Sequence, residues 1–172
     1  MNEKLSAIFA RRSIRVFQEK EIPEEMIKDI LEAAMAAPSA VAKDPWEFIV
    51  IKNKNTLIKI TEALPNGKML SSAPLGIIVC GDIKRAHGNE LSFLLQDCSA
   101  AIQNILLASS ILGLGACWLG VHPRTERISY IKEYFKLPEN IIPIAAIALG
   151  FPAEKKEPRT RFDKEKIHFE KW

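Results

Sequence analysis

Residues 91–121 carry one acidic side chain, Asp97, and no basic one. Within this stretch Leu91, Leu94, Leu95, Cys98, Ile102, Ile105, Leu106 and Ser109 recur at helical spacing, and Ala100, Ala101, Leu107 and Ala108 make the opposite side apolar too. A helix apolar around its whole circumference must be enclosed on all sides. The pattern therefore predicts a buried helix over residues 90–112, stopped by Gly113 and Gly115, with a strand over 116–121. In a domain this small, one side of such a helix is a candidate subunit interface. Gln96, Asp97, Gln103 and Asn104 interrupt the stretch and no Lys/Arg cluster flanks it closely, which argues against a membrane span.

Shorter elements must cover that helix. Leu5, Ile8 and Phe9 suggest a helix over 3–10. Met26, Ile27, Ile30, Leu31 and Ala34 mark a second, with Pro23 in its first turn and Pro38 beyond its end. Helices are also expected over 56–64 and 125–135. The runs WEFIVIK (46–52), LGIIVCGD (75–82) and IPIAAIAL (142–149) read as strands. Few strands, mostly uninterrupted apolar runs separated by helices, imply a sheet covered on both faces in an α+β or α/β arrangement. The chain of 172 residues fits one domain. After Gly150 it turns polar and basic, yet Ile167, Phe169 and Trp172 need a surface, which a partner chain can supply.

The chemistry-bearing motifs are few. Formal net charge is +3, without the long basic block or interleaved aromatics of a nucleic-acid surface. There is no GxGxxG and no phosphate-binding GxxxxGK[ST], and no nucleophile triad can be assembled. Cys80, Cys98 and Cys117, odd in number and without CxxC spacing, fit neither disulfides nor a zinc site and point to a reducing cytosol. The first residues, MNEKLSAIFARR, are too charged for a secretory leader. What remains is ARRSIRVF (10–17), in which Arg11, Arg12 and Arg15 flank Ser13 beside Ile14, Val16 and Phe17. Guanidinium forks match phosphate geometry, and a helical turn would put Arg11 and Arg15 on one side. Arg159 and Arg161 could close over the same anion. The spacing alone leaves open a solvated basic face, or pairing with Glu19, Glu21 and Glu24. An anion site without an acid–base team fits a protein whose cofactor does the chemistry.

Taken in order, RRSIRVF, APSA (37–40), PWEFIVI (45–51), GKMLSSAP (67–74), QDCSAAIQNILLASSILGLGACWLG (96–120) and the basic tail GFPAEKKEPRTR resemble the nitroreductase family of FMN-dependent oxidoreductases over nearly the whole chain. The resemblance implies an α+β, three-layer fold with a central mixed sheet. It implies an intertwined, cytoplasmic homodimer in which residues 1–150 form the FMN-binding core and 151–172 wrap the partner. Two FMN molecules would lie at the interface. Arg11, Arg12, Ser13 and Arg15 match the family's phosphate and ribityl motif, with Ile14, Val16 and Phe17 expected to anchor the loop in the core, and Arg159 or Arg161, with Arg161 preferred, matches its C-terminal phosphate contact. Pro38, Ser39 and Ala40 match the stretch that reaches the flavin from the other subunit. Trp118, Leu119 and Gly120 match the segment passing the ring near N5.

The implied reaction is ping-pong: NAD(P)H gives hydride to flavin N5, and a small acceptor, nitroaromatic or quinone-like, takes it. No catalytic side chain and no metal are implied. An FMN protein of the same fold with another flavin reaction, or a sensing role with little NAD(P)H turnover, stays open. Residues 83–90 are the expected cover of the pocket, with Arg85 and His87 either solvated or placed for an anionic substrate. The family's PSxxNxQPW reads PSAVAKDPW here, with Ala42 where Asn is usual and Asp44 where Gln is usual. Asp44 would either oppose the reduced flavin and lower its potential or accept from flavin N3–H, and Lys43 is a replacement donor.

Overall fold

The computed structural model describes residues 2–172. The strands β1 (Trp46–Ile51), β2 (Leu75–Asp82), β3 (Gly115–Gly120) and β4 (Ile141–Gly150) form one sheet in the order β1-β2-β4-β3. The runs with no polar position to offer water take the two central places. Leu75–Gly81 of β2 and Pro143–Gly150 of β4 are buried throughout, whereas the edge strands β1 and β3 mix buried with exposed positions. All three pairings are antiparallel. The expected mixed character enters only at an isolated parallel bridge, Ser13 to Ala116. A register shift between Val79 and Cys80 falls opposite Pro143, which has no N–H to give the ladder.

Five helices cover the sheet: α1 (Ser6–Ala10), α2 (Glu24–Met35), α3 (Lys54–Ala63), α4 (Leu91–Ile111) and α5 (Thr125–Phe135). Strand alternation sorts the apolar side chains into two cores. Leu75, Ile77, Val79, Ile147 and Leu149 meet Ile27, Ile30 and Ala34 of α2 and Leu94, Ile102 and Ile105 of α4. Ile78, Cys80, Ala146 and Ala148 meet Leu57 and Ile60 of α3 and Ile131 of α5. The result is the three-layer α+β arrangement.

Element ends differ from the sequence expectation where a cap decides them. Pro23 stands just before α2 and its carbonyl accepts from Ile27 N at 3.2 Å, so it caps the helix instead of entering it. The Asn53 side chain accepts from Thr56 N at 3.0 Å, which starts α3 at Lys54. Residues 3–10 divide into a 3-10 turn, Glu3–Leu5, followed by α1.

Among the described residues α4 is the one helix long and apolar enough to cross a membrane. It lies between α2 and the sheet, tied to α2 by Asn104 Nδ2 donating to Ala33 O at 2.9 Å. The three cysteines are free and buried. Burial pushes the thiols of Cys80 and Cys98 up to about 12, so both stay protonated and inert.

Candidate functional site

The arginine segment is extended, which corrects the expected helical turn. α1 ends at Ala10, and long-range pairing takes over. Ser13 bridges to Ala116 beside β3, Ile14 N donates to Ala116 O at 3.0 Å, and Phe17 bridges to Pro152. Gly115 permits the approach, since a Cβ there would stand 2.6 Å from Ile14 Cγ2. Ile14 and Phe17 are buried as anchors, but Val16 is 52% exposed, contrary to expectation.

The chain beyond β4 then runs along this segment. Gln18 N donates to Phe151 O at 2.9 Å, Ala153 N to Val16 O at 2.9 Å, and Arg159 N to Phe9 O at 3.1 Å. Arg15 N donates to Glu154 Oε1 at 2.6 Å, Lys156 Nζ to Ser13 O at 2.7 Å, and the Arg12 guanidinium to Glu157 O. Residues 151–159 are thus tied to the arginine segment of their own chain.

This zipper brings the two distant basic groups together. Arg11, Arg12, Ser13, Arg15, Lys156, Arg159 and Arg161 line one recess of about 520 Å³, along with Ile8, Phe9 and Thr160 and no carboxylate. Glu154 stands behind it, paired with Lys156 Nζ at 3.0 Å. The Arg15 N–H, and to a smaller extent Lys156, hold the Glu154 carboxyl below its usual range.

A second recess of about 190 Å³ adjoins the first, with Arg15 in the wall of both. Trp118, Leu119 and Gly120 of β3 line it, with Cys117, Leu64, Asn66, Gly67 and Arg127. Burial raises the Cys117 thiol, against the lowering pull of Arg15, Lys156 and Arg11, and leaves it a protonated wall group with no part as a nucleophile. Sequence reasoning missed Lys156, Asn66 and Arg127. Lys156 lay within the basic KKEPRTR run (155–161) and Asn66 beside GKMLSSAP, whereas Arg127 carried no signal beyond a polar helix position.

Pro38, Ser39, Ala40 and Asp44 line neither recess. Their loop borders the α2/α4 core, where Ala40 N donates to Asp97 Oδ1 at 2.8 Å. Asp97 is buried, and among the described residues its Oδ2 has no hydrogen-bond partner. Ser39 Oγ donates to Asp44 Oδ1 at 2.5 Å and accepts from Asp44 N at 2.9 Å, so one oxygen of the Asp44 carboxylate is already engaged within the loop. Val41, Ala42 and Asp44 take positive φ of 54°, 50° and 47°, a region costly for non-glycine residues and above all for β-branched ones.

Lys43 turns to a separate open recess with Lys84 and Arg85, the last 3.6 Å from Glu47. His87 packs edge-on against Phe93, and His168 stacks on Trp172. No group of three or more His, Cys, Asp or Glu among the described residues could hold a metal ion.

The nitroreductase family profile matches residues 8–66 and 61–151. A Methanothermobacter thermautotrophicus protein, provisionally named an NADH dehydrogenase/NAD(P)H nitroreductase, is 51% identical over 170 residues, covering 98% of this chain and 87% of the relative. The crystal structure of a similarly named Bacteroides thetaiotaomicron protein is 41% identical and superposes with a TM-score of 0.93 over 100% of this chain and 99% of that one. A provisionally named nitroreductase from Desulfovibrio desulfuricans, solved in complex with FMN, is 31% identical with a TM-score of 0.84 over 100% and 99% of the two chains. With a profile spanning most of its length and relatives this similar, the chain belongs to the nitroreductase family.

Proposed function

We propose that this protein is an FMN-dependent oxidoreductase that takes electrons from NADH or NADPH and passes them, in ping-pong order, to a small nitroaromatic or quinone-like acceptor. The observation that carries the proposal is the recess in which Arg11, Arg12, Arg15, Lys156, Arg159 and Arg161 meet around Ser13 without a lining carboxylate. Cations held this close repel one another, and a phosphate monoester, with about −1.5 to −2 charges near neutrality, offsets that repulsion. The donor set therefore fits the phosphoryl group of FMN. Both Arg159 and Arg161 belong to it.

When bound, FMN supplies the two-electron carrier that no side chain here provides. Arg11, Arg12, Ser13, Arg159 and Arg161 hold the phosphate and ribityl end. Arg15 spans both recesses, and Trp118, Leu119 and Gly120 of β3 support the ring. No nucleophile is required, consistent with the protonated Cys117.

The protein acts as a homodimer, with residues 1–150 as the core of the FMN site and Lys156, Arg159 and Arg161 of the tail completing it. Supporting this, Leu5, Ile8, Met35, Val41, Ile111, Phe162 and Phe169 are large apolar side chains left exposed on the single chain. In the dimer, Pro38, Ser39, Ala40 and Asp44 meet the flavin bound to the second copy, and the 151–172 extension embraces that copy.

Anaerobic titration of the purified protein tests the proposal. A yellow dimer that NADH or NADPH bleaches, and that a quinone or nitroaromatic recolours, is the expected result. A colourless chain that refuses added FMN overturns it. Bleaching by dithionite alone replaces it with a flavoprotein of another reaction or of a sensing role.

A further inference from the structure

We infer that Arg127 sets the reduction potential of the bound flavin by favouring its reduced form. This rests on the proposed FMN site and assigns a role to a residue outside the arginine motif and the basic tail. Arg127 lies in the first turn of α5, where the positive end of the helix dipole disfavours a cation, so helix stability does not account for it. Its Nη1 donates to Gly120 O at 2.7 Å, which holds the guanidinium against the last residue of β3. That spends one donor of the fork and leaves the others free.

The charge is at most partly balanced: on its outer side Arg127 shares a recess with Glu62 and Glu126. Among the described residues Arg127 makes no ion pair, and the nearby Glu62 is committed to Lys59 Nζ at 2.8 Å and to the Tyr130 hydroxyl at 3.0 Å. The recess that Arg127 shares with Arg15, Trp118 and Gly120 contains no carboxylate. A fixed cation beside a partly enclosed group favours whichever state of that group carries more negative charge. Two-electron reduction places negative charge on the flavin ring at neutral pH. The Gly120 carbonyl orients the guanidinium before any ligand arrives, so the preference is built into the chain.

The test compares FMN affinity in the oxidised and reduced states, through direct titration and the midpoint potential, for the wild type, R127Q and R127H. The expected result for R127Q is about a tenfold loss of preference for reduced over oxidised FMN, a fall of about 30 mV for a two-electron couple. Below about pH 6.5 imidazole is charged, and R127H should hold its potential above that of R127Q at the same pH, whereas at higher pH the two should agree. An unchanged ratio in R127Q with a lowered melting temperature assigns Arg127 only to holding Gly120 and overturns the inference. An R127H potential that follows the wild type across pH overturns it as well, even if R127Q does not fold. A wild type that binds no FMN ends the functional reading itself, a failure distinct from these.

Discussion

The arginine segment (11–18) and the Pro38–Pro45 loop are both proposed to meet flavin, yet opposite forces are left unbalanced in them. Residues 11–18 have ordinary extended geometry, with backbone groups paired to Ala116, Phe151 and Ala153. What is unfavourable there is charge, since several cations line one recess without a carboxylate. In the 38–45 loop the charges are quiet, with Asp44 closed onto Ser39, and the backbone is strained through the positive φ of Val41, Ala42 and Asp44. An anion relieves the first kind of tension. The second is held by side chains around the loop and is expressed as a fixed surface shape. One chain can thus prepare two halves of a cofactor site by different means, one electrostatic and one conformational.

Breaking the electrostatic half should have the largest effect. Replacing both Arg11 and Arg161 by Ala removes two charge-assisted contacts, each worth about 1.5–3 kcal/mol. FMN affinity should fall by roughly 10²- to 10⁴-fold in a fluorescence titration. The apo-protein's melting temperature should stay level or rise, because like charges have been removed. A variant that loses stability together with affinity would show that these arginines hold the fold and would erase the contrast.

The conformational half should respond with the opposite pattern. Asp97→Ala leaves the Ala40 N–H without its acceptor, at a cost of about 1–3 kcal/mol in denaturant unfolding. Asp97→Asn keeps an acceptor oxygen and should cost much less. Val41→Gly should act in the other direction, since a left-handed conformation costs a non-glycine residue about 1–2 kcal/mol. Part of that gain is offset by the greater freedom of glycine in the unfolded chain. Stabilisation of the apo-protein by Val41→Gly, accompanied by weaker FMN binding in the dimer, would mark the strain as functional.

The two halves were unequally legible in the sequence. Apart from residues 3–10, helices and strands lay within a residue or two of expectation because the apolar periodicity that signals them is also what buries them. The arginines announced an anion site through residue type alone. Their extended geometry was hidden, because the local rule relating positions four apart favoured a helical turn, whereas Ser13 is positioned by Ala116, far along the chain. Val16 went wrong for the same reason, since pairing with Ala153 leaves its side chain outside the core. The loop's strain was invisible, as Val41 is among the residues least expected at positive φ and no glycine marks the turn. Asp97 was read as a polar interruption of an apolar helix. Its role emerges only when Ala40 is brought against it by folding.

The smallest effect concerns Glu154, which joins the arginine segment to the C-terminal stretch. The Arg15 N–H and Lys156 keep its carboxyl below the ordinary value of 4.5. Near that value the unfolded chain binds a proton that the folded chain does not, so this contribution to stability is present above about pH 4.5. It is lost as the pH falls through the lowered folded value. The FMN phosphate sheds its second charge near pH 6, which weakens binding in every variant alike. Glu154→Gln keeps an acceptor for Arg15 N–H and removes the titrating group, so it should bind FMN only a few-fold more weakly at pH 7. As the pH falls through that lowered folded value the wild type should lose its advantage and converge on the variant. A constant ratio between the two across that window would place Glu154 outside the clamp and leave the recess held by backbone pairing alone.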